Sequence, residues 1–195
     1  SVYTAISTDN ERLLPDFSSA NQMNHVILQV PLPGDTLWLE CTNPQLPFGY
    51  IHSDIAGHDA LLVTPDGGKL HRLPSYPDSL NTQTTIAPTT LTPTGGAKVK
   101  ACETSHLFQY ENMIGITHLE PARQKDHLRS NINLVQANIS DVQITEKKDA
   151  IPQIALQYAV DTEQYGNKTG NRLFIPANIF RKGFITPELK QRIQD

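Results

Sequence analysis

A histidine, a glutamate and a cysteine lie close together in the segment NHVILQVPLPGDTLWLECT, residues 24–42. His25, Glu40 and Cys41 are the residue types of a general base, a group that orients it and a nucleophile. Whether they can act together depends on how this segment folds. Its two short apolar runs, separated by Pro33 and Gly34, predict a β-hairpin.

The turn sets which side chains share a face of this hairpin. Proline suits the first central position of a type II turn and glycine the second, so Val30 is expected to oppose Leu37. Side chains alternate between faces along a strand. The first face then carries Val26, Leu28, Val30, Leu37, Leu39 and Cys41, and the second carries His25, Ile27, Gln29, Trp38, Glu40 and Thr42. The first face is apolar apart from its thiol, so we expect it to point into the core.

This register places His25 and Glu40 on one face as diagonal neighbours, whose Cα atoms lie roughly 7–8 Å apart. A carboxylate beside an imidazole can hold its tautomer and stabilise the imidazolium ion. Cys41 falls on the opposite face, where His25 is badly placed to act as its base. The alternative is a polar pair on the outer face of a hairpin, with no catalytic role.

A second group of metal-ligating residue types follows the hairpin. It has the pattern H-x-D-x-x-x-H-D and comprises His52, Asp54, His58 and Asp59. Its segment is rich in proline and glycine, so the helical spacing of a zinc motif does not apply, and solvated turn residues are expected. The glycines at 67–68 and 95–96 mark turns rather than phosphate-binding loops. We therefore expect neither a metal nor a cofactor.

Composition excludes several classes of partner. The 195 residues carry a formal net charge of −4, which gives no sign of nucleic-acid binding or of a polybasic membrane surface. No apolar run approaches the roughly 20 residues of a membrane-spanning helix. The two cysteines, Cys41 and Cys102, lack a C-x-x-C spacing. A single disulfide and two buried thiols are both compatible with the sequence, and the second is favoured.

The remaining pattern predicts a mainly β fold with one helix. Residues 1–8 and the hairpins over 24–42 and 60–74 predict a small antiparallel sheet. Threonine-rich β sequence follows over 82–110, and then come strands at 141–145 and 151–160 that predict a β-sandwich-like domain. The helix is expected over 117–134, with Thr117 and Glu120 as a capping box and Pro121 in its first turn. We place the domain boundary between 1–78 and 79–195.

The hairpin resembles the histidine and acid strands of the transglutaminase-like superfamily core. In that family the first strand opens with the catalytic histidine, and a W-x-D-x-T-type strand after the turn carries the acid. His25 matches the histidine, and WLECT matches the acid strand with Glu40 at the usual aspartate position. The stretches LPFGY…GHDALLV and, more weakly, NRLFIPANIFRKGF also resemble bacterial members. In those multidomain proteins of Gram-negative bacteria, β domains flank the core.

The resemblance implies a cysteine-type enzyme that cleaves amides or transfers acyl groups, with protein or peptide substrates. The family nucleophile is a cysteine at the start of a helix, upstream of the histidine strand, and this chain has no cysteine before Cys41. The chain is thus expected to be a fragment that begins after the nucleophile and is inactive alone, with the upstream segment of its parent as its partner. A periplasmic or cell-surface location is implied. The alternative is a non-catalytic β module that binds a protein or glycan on the bacterial surface.

Overall fold

The structure, a computed structural model, describes residues 1–9, 11–17, 19–134 and 136–180. It is mainly β, as predicted, although the described residues form two α-helices rather than one. The chain divides into two compact units: the first contains Ser1–Thr85, Cys102–His118 and Ile144–Leu156, and the second contains Ile86–Ala101, Leu119–Gln143 and the chain from Gln157. Both units draw on separated parts of the sequence, and the single boundary predicted after residue 78 stays a prediction.

The first unit contains a five-stranded antiparallel sheet. Its strands are β1 (Val2–Ile6), β2 (His25–Leu32), β3 (Asp35–Leu39), β4 (Asp59–Thr64) and β5 (Gly67–Arg72), in the spatial order β3-β2-β1-β4-β5. Both predicted hairpins are present. Val30 opposes Leu37, which confirms the predicted register. Gly34 has a φ of 79°, the positive value that the second central position of a type II turn requires.

The prediction of which hairpin face points into the core was wrong. Ile27 and Trp38 are only 1% and 4% exposed, whereas Val26 on the supposed core face is 49% exposed. The reason lies outside the hairpin, because the loop after β3 folds back and packs Ile51 and Ile55 over the face that carries Ile27. The resulting core cluster consists of Ile6, Ile27, Trp38, Ile51, Ile55, Ala60, Leu62 and Leu73.

The opposite face of the same sheet is also apolar, and it is open to solvent. Tyr3 is 69% exposed, and it lies between Leu28 of β2 and Val63 of β4, which is 55% exposed. Leu61 and Leu70 extend this face across β4 and β5, and Leu70 is 43% exposed. We call these residues, together with Val26, the outer apolar face. Antiparallel sheets commonly bury one face and present a polar one to water, so this sheet is unusual.

The later strands form a second sheet. They are β6 (Gln83–Ile86), β7 (Thr89–Leu91), β8 (Ala97–His106), β9 (Asn138–Lys147) and β10 (Gln153–Thr162), with the order β6-β8-β10-β9 and β7 paired to β8. The strand predicted over 151–160 is confirmed as β10, and its alternate residues Ile154, Leu156, Tyr158 and Val160 are all buried. A two-stranded ribbon follows, formed by β11 (Asn167–Thr169) and β12 (Arg172–Phe174). A sandwich-like arrangement of this part stays a prediction.

The helices differ in part from the expectation. Helix α1 (Phe108–Ile114) was missed, because the predicted β sequence ran through residue 110 and residues 111–116 were assigned to no element. Helix α2 (Pro121–Asn131) lies inside the predicted range and begins with Pro121, as expected. The capping box is absent: the Thr117 hydroxyl donates to the carbonyl of Ile114, and Glu120 caps without a side-chain hydrogen bond. None of the helices in the described part of the chain is long and apolar enough to span a membrane.

Candidate functional site

The hairpin brings His25 and Glu40 into direct contact. The Nε2 atom of His25 lies 2.6 Å from Oε2 of Glu40, which is a short hydrogen bond. The His25 side chain is 17% exposed and that of Glu40 is 4% exposed. The predicted contact between the two side chains is therefore present, in a site that is mostly buried but open on the histidine side.

The carboxylate of Glu40 is held from both sides. Its second oxygen, Oε1, accepts hydrogen bonds from the backbone N–H of Thr42 at 2.6 Å and from the Thr42 hydroxyl at 2.7 Å. Burial by itself raises the pKa of Glu40, but the hydrogen bonds from Thr42 and His25 and the charge of His25 outweigh it and lower the pKa to about 2. Glu40 is thus ionised and can only accept, so the proton on its bond with His25 belongs to Nε2.

A third side chain completes the cluster. Nε2 of His52 lies 3.2 Å from the same Glu40 oxygen that bonds His25. The two imidazole rings are 6.1 Å apart between centroids, with their planes at 78°. On its other side, Nδ1 of His52 is 3.8 Å from a carboxylate oxygen of Asp54. Glu40 therefore faces two imidazoles, and we call His25, Glu40 and His52 the histidine–glutamate cluster.

Glu111 of α1 fixes the loop that carries His52. Its carboxylate accepts from the Tyr50 hydroxyl at 2.6 Å, from the Ser53 backbone N–H at 2.9 Å and from the Ser53 hydroxyl at 2.6 Å. Burial and the neighbouring Glu111 raise the pKa of Tyr50, so it remains a neutral donor. On the far side of His52, the N–H groups of Ile55 and Ala56 donate to the His52 carbonyl. The loop is tied down on both sides of the histidine.

The second group of metal-ligating residue types is divided by the fold. His52 and Asp54 lie at the cluster, whereas His58 is buried elsewhere and its Nδ1 donates to the carbonyl of Ser7 at 2.8 Å. Asp59 pairs with Arg72 at 3.0 Å. Sequence reasoning did not connect His52 to the hairpin. The available signal was the apolar residues Ile51 and Ile55, which indicate that this turn-rich segment packs onto the sheet.

Both cysteines are free thiols, and the disulfide alternative is not realised. The favoured expectation that they are buried was wrong for Cys41, which is exposed, while Cys102 is half-buried. Cys41 follows the end of β3, where its Sγ lies 3.7 Å from the carbonyl oxygen of Leu39. It is exposed because the predicted core face is the solvent-facing one.

The arrangement supports two kinds of chemistry. An imidazole with one nitrogen bonded to a carboxylate can take a proton at the other nitrogen. The ligand atoms of the cluster also lie within 4.8 Å of one another, close enough to share a metal ion.

Comparison of the chain with protein-family models, with curated proteins and with solved structures gives no significant match. The site must therefore be interpreted from its own geometry.

Proposed function

We propose that this chain supplies the histidine and acid of a transglutaminase-like active site in a bacterial parent protein that cleaves amides or transfers acyl groups. The observation that carries the proposal is the 2.6 Å bond between His25 and Glu40. Alone, the chain is inactive in this chemistry, because the nucleophilic cysteine lies in an upstream segment of the parent. The nucleophile would attack the carbonyl carbon of a protein or peptide substrate and form the acyl intermediate.

In this role His25 is the general base. The Nε2–H group of His25 donates a hydrogen bond to Glu40. Neutral His25 therefore has its lone pair on Nδ1, where it can accept the proton of a thiol. When His25 becomes an imidazolium ion, the ionised Glu40 stabilises that charge. The 17% exposure of the His25 side chain leaves room for an approaching sulfur atom.

Thr42 supports the assignment of Glu40 to the acid position. A glutamate has one methylene more than the aspartate usual in the family that the hairpin resembles, and so it needs additional support to stay oriented. The two hydrogen bonds from Thr42 to Oε1 supply it and direct Oε2 toward His25. The pair thus has an orienting group of its own, as a catalytic dyad requires.

The outer apolar face supports an upstream partner. Tyr3, Val63 and Leu70 are exposed on one continuous sheet surface. Exposed apolar patches of this kind mark interaction sites. We assign this surface to the upstream part of the parent, which would cover it. A periplasmic or cell-surface location in a Gram-negative bacterium accompanies the proposal through the family resemblance.

Thiol alkylation in the intact parent tests the proposal without knowledge of the substrate. A thiolate paired with an imidazolium reacts with iodoacetamide below neutral pH, where an ordinary thiol does not. We expect one upstream cysteine to be alkylated rapidly at pH 6, and His25→Ala to slow this at least about tenfold, as the fall in thiolate fraction requires. His118→Ala, which alters an exposed histidine, is the matched control. Equal rates in the parent and in its His25→Ala variant would refute the base role.

The exposed apolar surface also favours a second candidate, a non-catalytic β module that binds a protein on the bacterial surface. In that case the same face is the binding site, and His25→Ala leaves every activity of the parent unchanged. The two candidates differ in a single measurement. Loss of thiol reactivity in His25→Ala is expected of the enzyme alone, whereas Val63→Lys would perturb both candidates because both use the outer apolar face.

A further inference from the structure

We propose that His25, Glu40 and His52 form a binding site for a divalent transition-metal ion, with Zn²⁺ as the preferred ion. The ligand atoms are Nε2 of each histidine and Oε2 of the glutamate. Two histidines and one carboxylate with an open fourth position are a common protein ligand set for zinc. The proposal rests on the geometry of these three side chains and does not depend on the catalytic proposal above.

The distances suit an inserted ion. Ligands about 2.0–2.1 Å from a tetrahedral zinc ion lie about 3.3 Å from each other. His52 Nε2 is already 3.2 Å from Glu40 Oε2. His25 Nε2 is 2.6 Å from the same oxygen and has to move outward by about 0.7 Å to reach that spacing. Its side chain is partly exposed, so a small rotation suffices.

Glu40 is prepared as a ligand. Both Thr42 donors bind Oε1 of its carboxylate, which leaves Oε2 directed at the two imidazoles. The side chain is 4% exposed, so little water competes for this oxygen. Ligating carboxylates in metal sites are oriented by hydrogen bonds of this kind.

Asp54 lies beside the other ring nitrogen of His52. A metal ion takes the lone pair of Nε2, so the proton of a neutral histidine moves to Nδ1. Nδ1 of His52 lies 3.8 Å from Oδ2 of Asp54, beyond hydrogen-bond distance, and a small rotation of the exposed Asp54 side chain would let it accept the Nδ1 proton. The loop that carries both residues is held by Glu111, so the ligand is supported by the fold rather than by a free surface turn.

The exposure of the ligands leaves a route for the ion. The His25 and His52 side chains are 17% and 14% exposed, so the histidine side of the cluster faces solvent. Among the residues that the structure describes, this is the single group of histidine, cysteine and acidic side chains close enough to share an ion. The fourth ligand would be a water molecule.

Metal binding and the base role exclude each other. With the ion on Nε2, the proton of His25 occupies Nδ1, which then has no lone pair for a thiol. If the catalytic proposal holds, the metal-bound parent is therefore inactive. Metal binding itself needs no upstream cysteine, so the two proposals can fail separately.

Zn²⁺ and Co²⁺ titrations of the untagged 195-residue chain, first freed of metal with a chelator, test the site. We expect one Zn²⁺ per chain by calorimetry and the visible absorption bands of four-coordinate Co²⁺. His52→Ala and Glu40→Gln each remove a ligand, so each should weaken Zn²⁺ binding by more than the about 10–100-fold that changes to ligand-supporting residues cause. Asp54→Asn changes such a supporting residue and should weaken Zn²⁺ binding by about 10-fold. His118→Ala is the control and should bind as the unaltered chain does.

Two results would overturn the proposal. One is the absence of stoichiometric binding by the unaltered chain. The other is equal Zn²⁺ affinity in the unaltered chain and in His52→Ala or Glu40→Gln. The fluorescence of Trp38, the single tryptophan, which is buried against the hairpin core, verifies that each variant is folded. Even if one variant fails to fold, the bands of four-coordinate Co²⁺ in the unaltered chain support the site, and their absence contradicts it.

Discussion

The hydrogen bonds of Glu40 make a definite prediction about stability and pH. Its pKa is lowered from 4.5 to about 2 in the folded chain. A group whose pKa is depressed on folding stabilises the fold above its unfolded pKa, and this contribution is lost as the pH falls toward the folded value. At about 1.4 kcal/mol per pKa unit the full contribution is about 3.5 kcal/mol, and solvent at the open side of His25 reduces it to about 2–3 kcal/mol.

Glu40→Gln isolates this contribution. At pH 7 the variant should lose about 2–3 kcal/mol of unfolding free energy, because glutamine carries no charge for the Thr42 and histidine donors. The loss should diminish by about 1.4 kcal/mol at pH 3.5, where the unfolded carboxyl of the unaltered chain is already largely protonated. Above about pH 5.5 the Glu40 carboxyl is largely ionised in both the folded and the unfolded chain, so its own titration adds little further change.

Urea unfolding followed by the fluorescence of Trp38 measures these differences at a series of pH values. Trp38 is 4% exposed and stacks on His71, so its emission reports on the hairpin itself. Glu11→Gln is the matched control: Glu11 is an exposed glutamate of the same unit, and its replacement should change stability by less than about 0.5 kcal/mol. A Glu40→Gln effect that is equal at pH 7 and pH 3.5 would refute the assignment of a stabilising charge to Glu40.

Three further predictions concern the first unit. Ile27→Ala should cost about 2–5 kcal/mol of unfolding free energy because Ile27 is 1% exposed, whereas Val26→Ala on the outer apolar face should cost far less. Urea unfolding of both variants checks which face of the hairpin is buried. Gly34→Ala should cost about 1 kcal/mol in the same assay because of its φ of 79°, and an unchanged midpoint would contradict the turn. Tyr110→Phe should cost about 1–2 kcal/mol, since the Tyr110 hydroxyl donates to Glu146 at 2.6 Å; a neutral effect would show that this bond contributes nothing.

The register of the hairpin was predictable because it depends on local chemistry alone. Pro33 and Gly34 define a turn with one positive φ, and that turn fixes which residues are opposed. The contact between His25 and Glu40 follows from the register. The direction in which the hairpin faces is not local, because it depends on what packs against it. The buried face combines Ile27 and Trp38 with polar residues, so apolarity alone favoured the wrong face.

Helix α1 shows a different limit. Leu107, Tyr110 and Ile114 are buried at spacings of three and four residues, which is a helical period. The preceding threonine-rich strand sequence obscured this short signal. Leu107 also has a φ of 50°, an unfavourable backbone value that tertiary packing maintains and that no propensity predicts for leucine. A seven-residue helix after a ten-residue strand is therefore difficult to locate from sequence.

The role of His52 shows why the site was only half predicted. His25 opens β2 and Glu40 directly follows β3, its paired strand, so strand alternation and turn geometry bring them together without further information. His52 reaches them because Ile51 and Ile55 pack its loop onto the sheet and because Glu111, far along the chain, binds Tyr50 and Ser53 on either side of it. Such a contact has no period or spacing in the sequence. The addition of one imidazole converts a base and its orienting acid into a possible ligand set, so the least predictable residue of the cluster determines which chemistry it can perform.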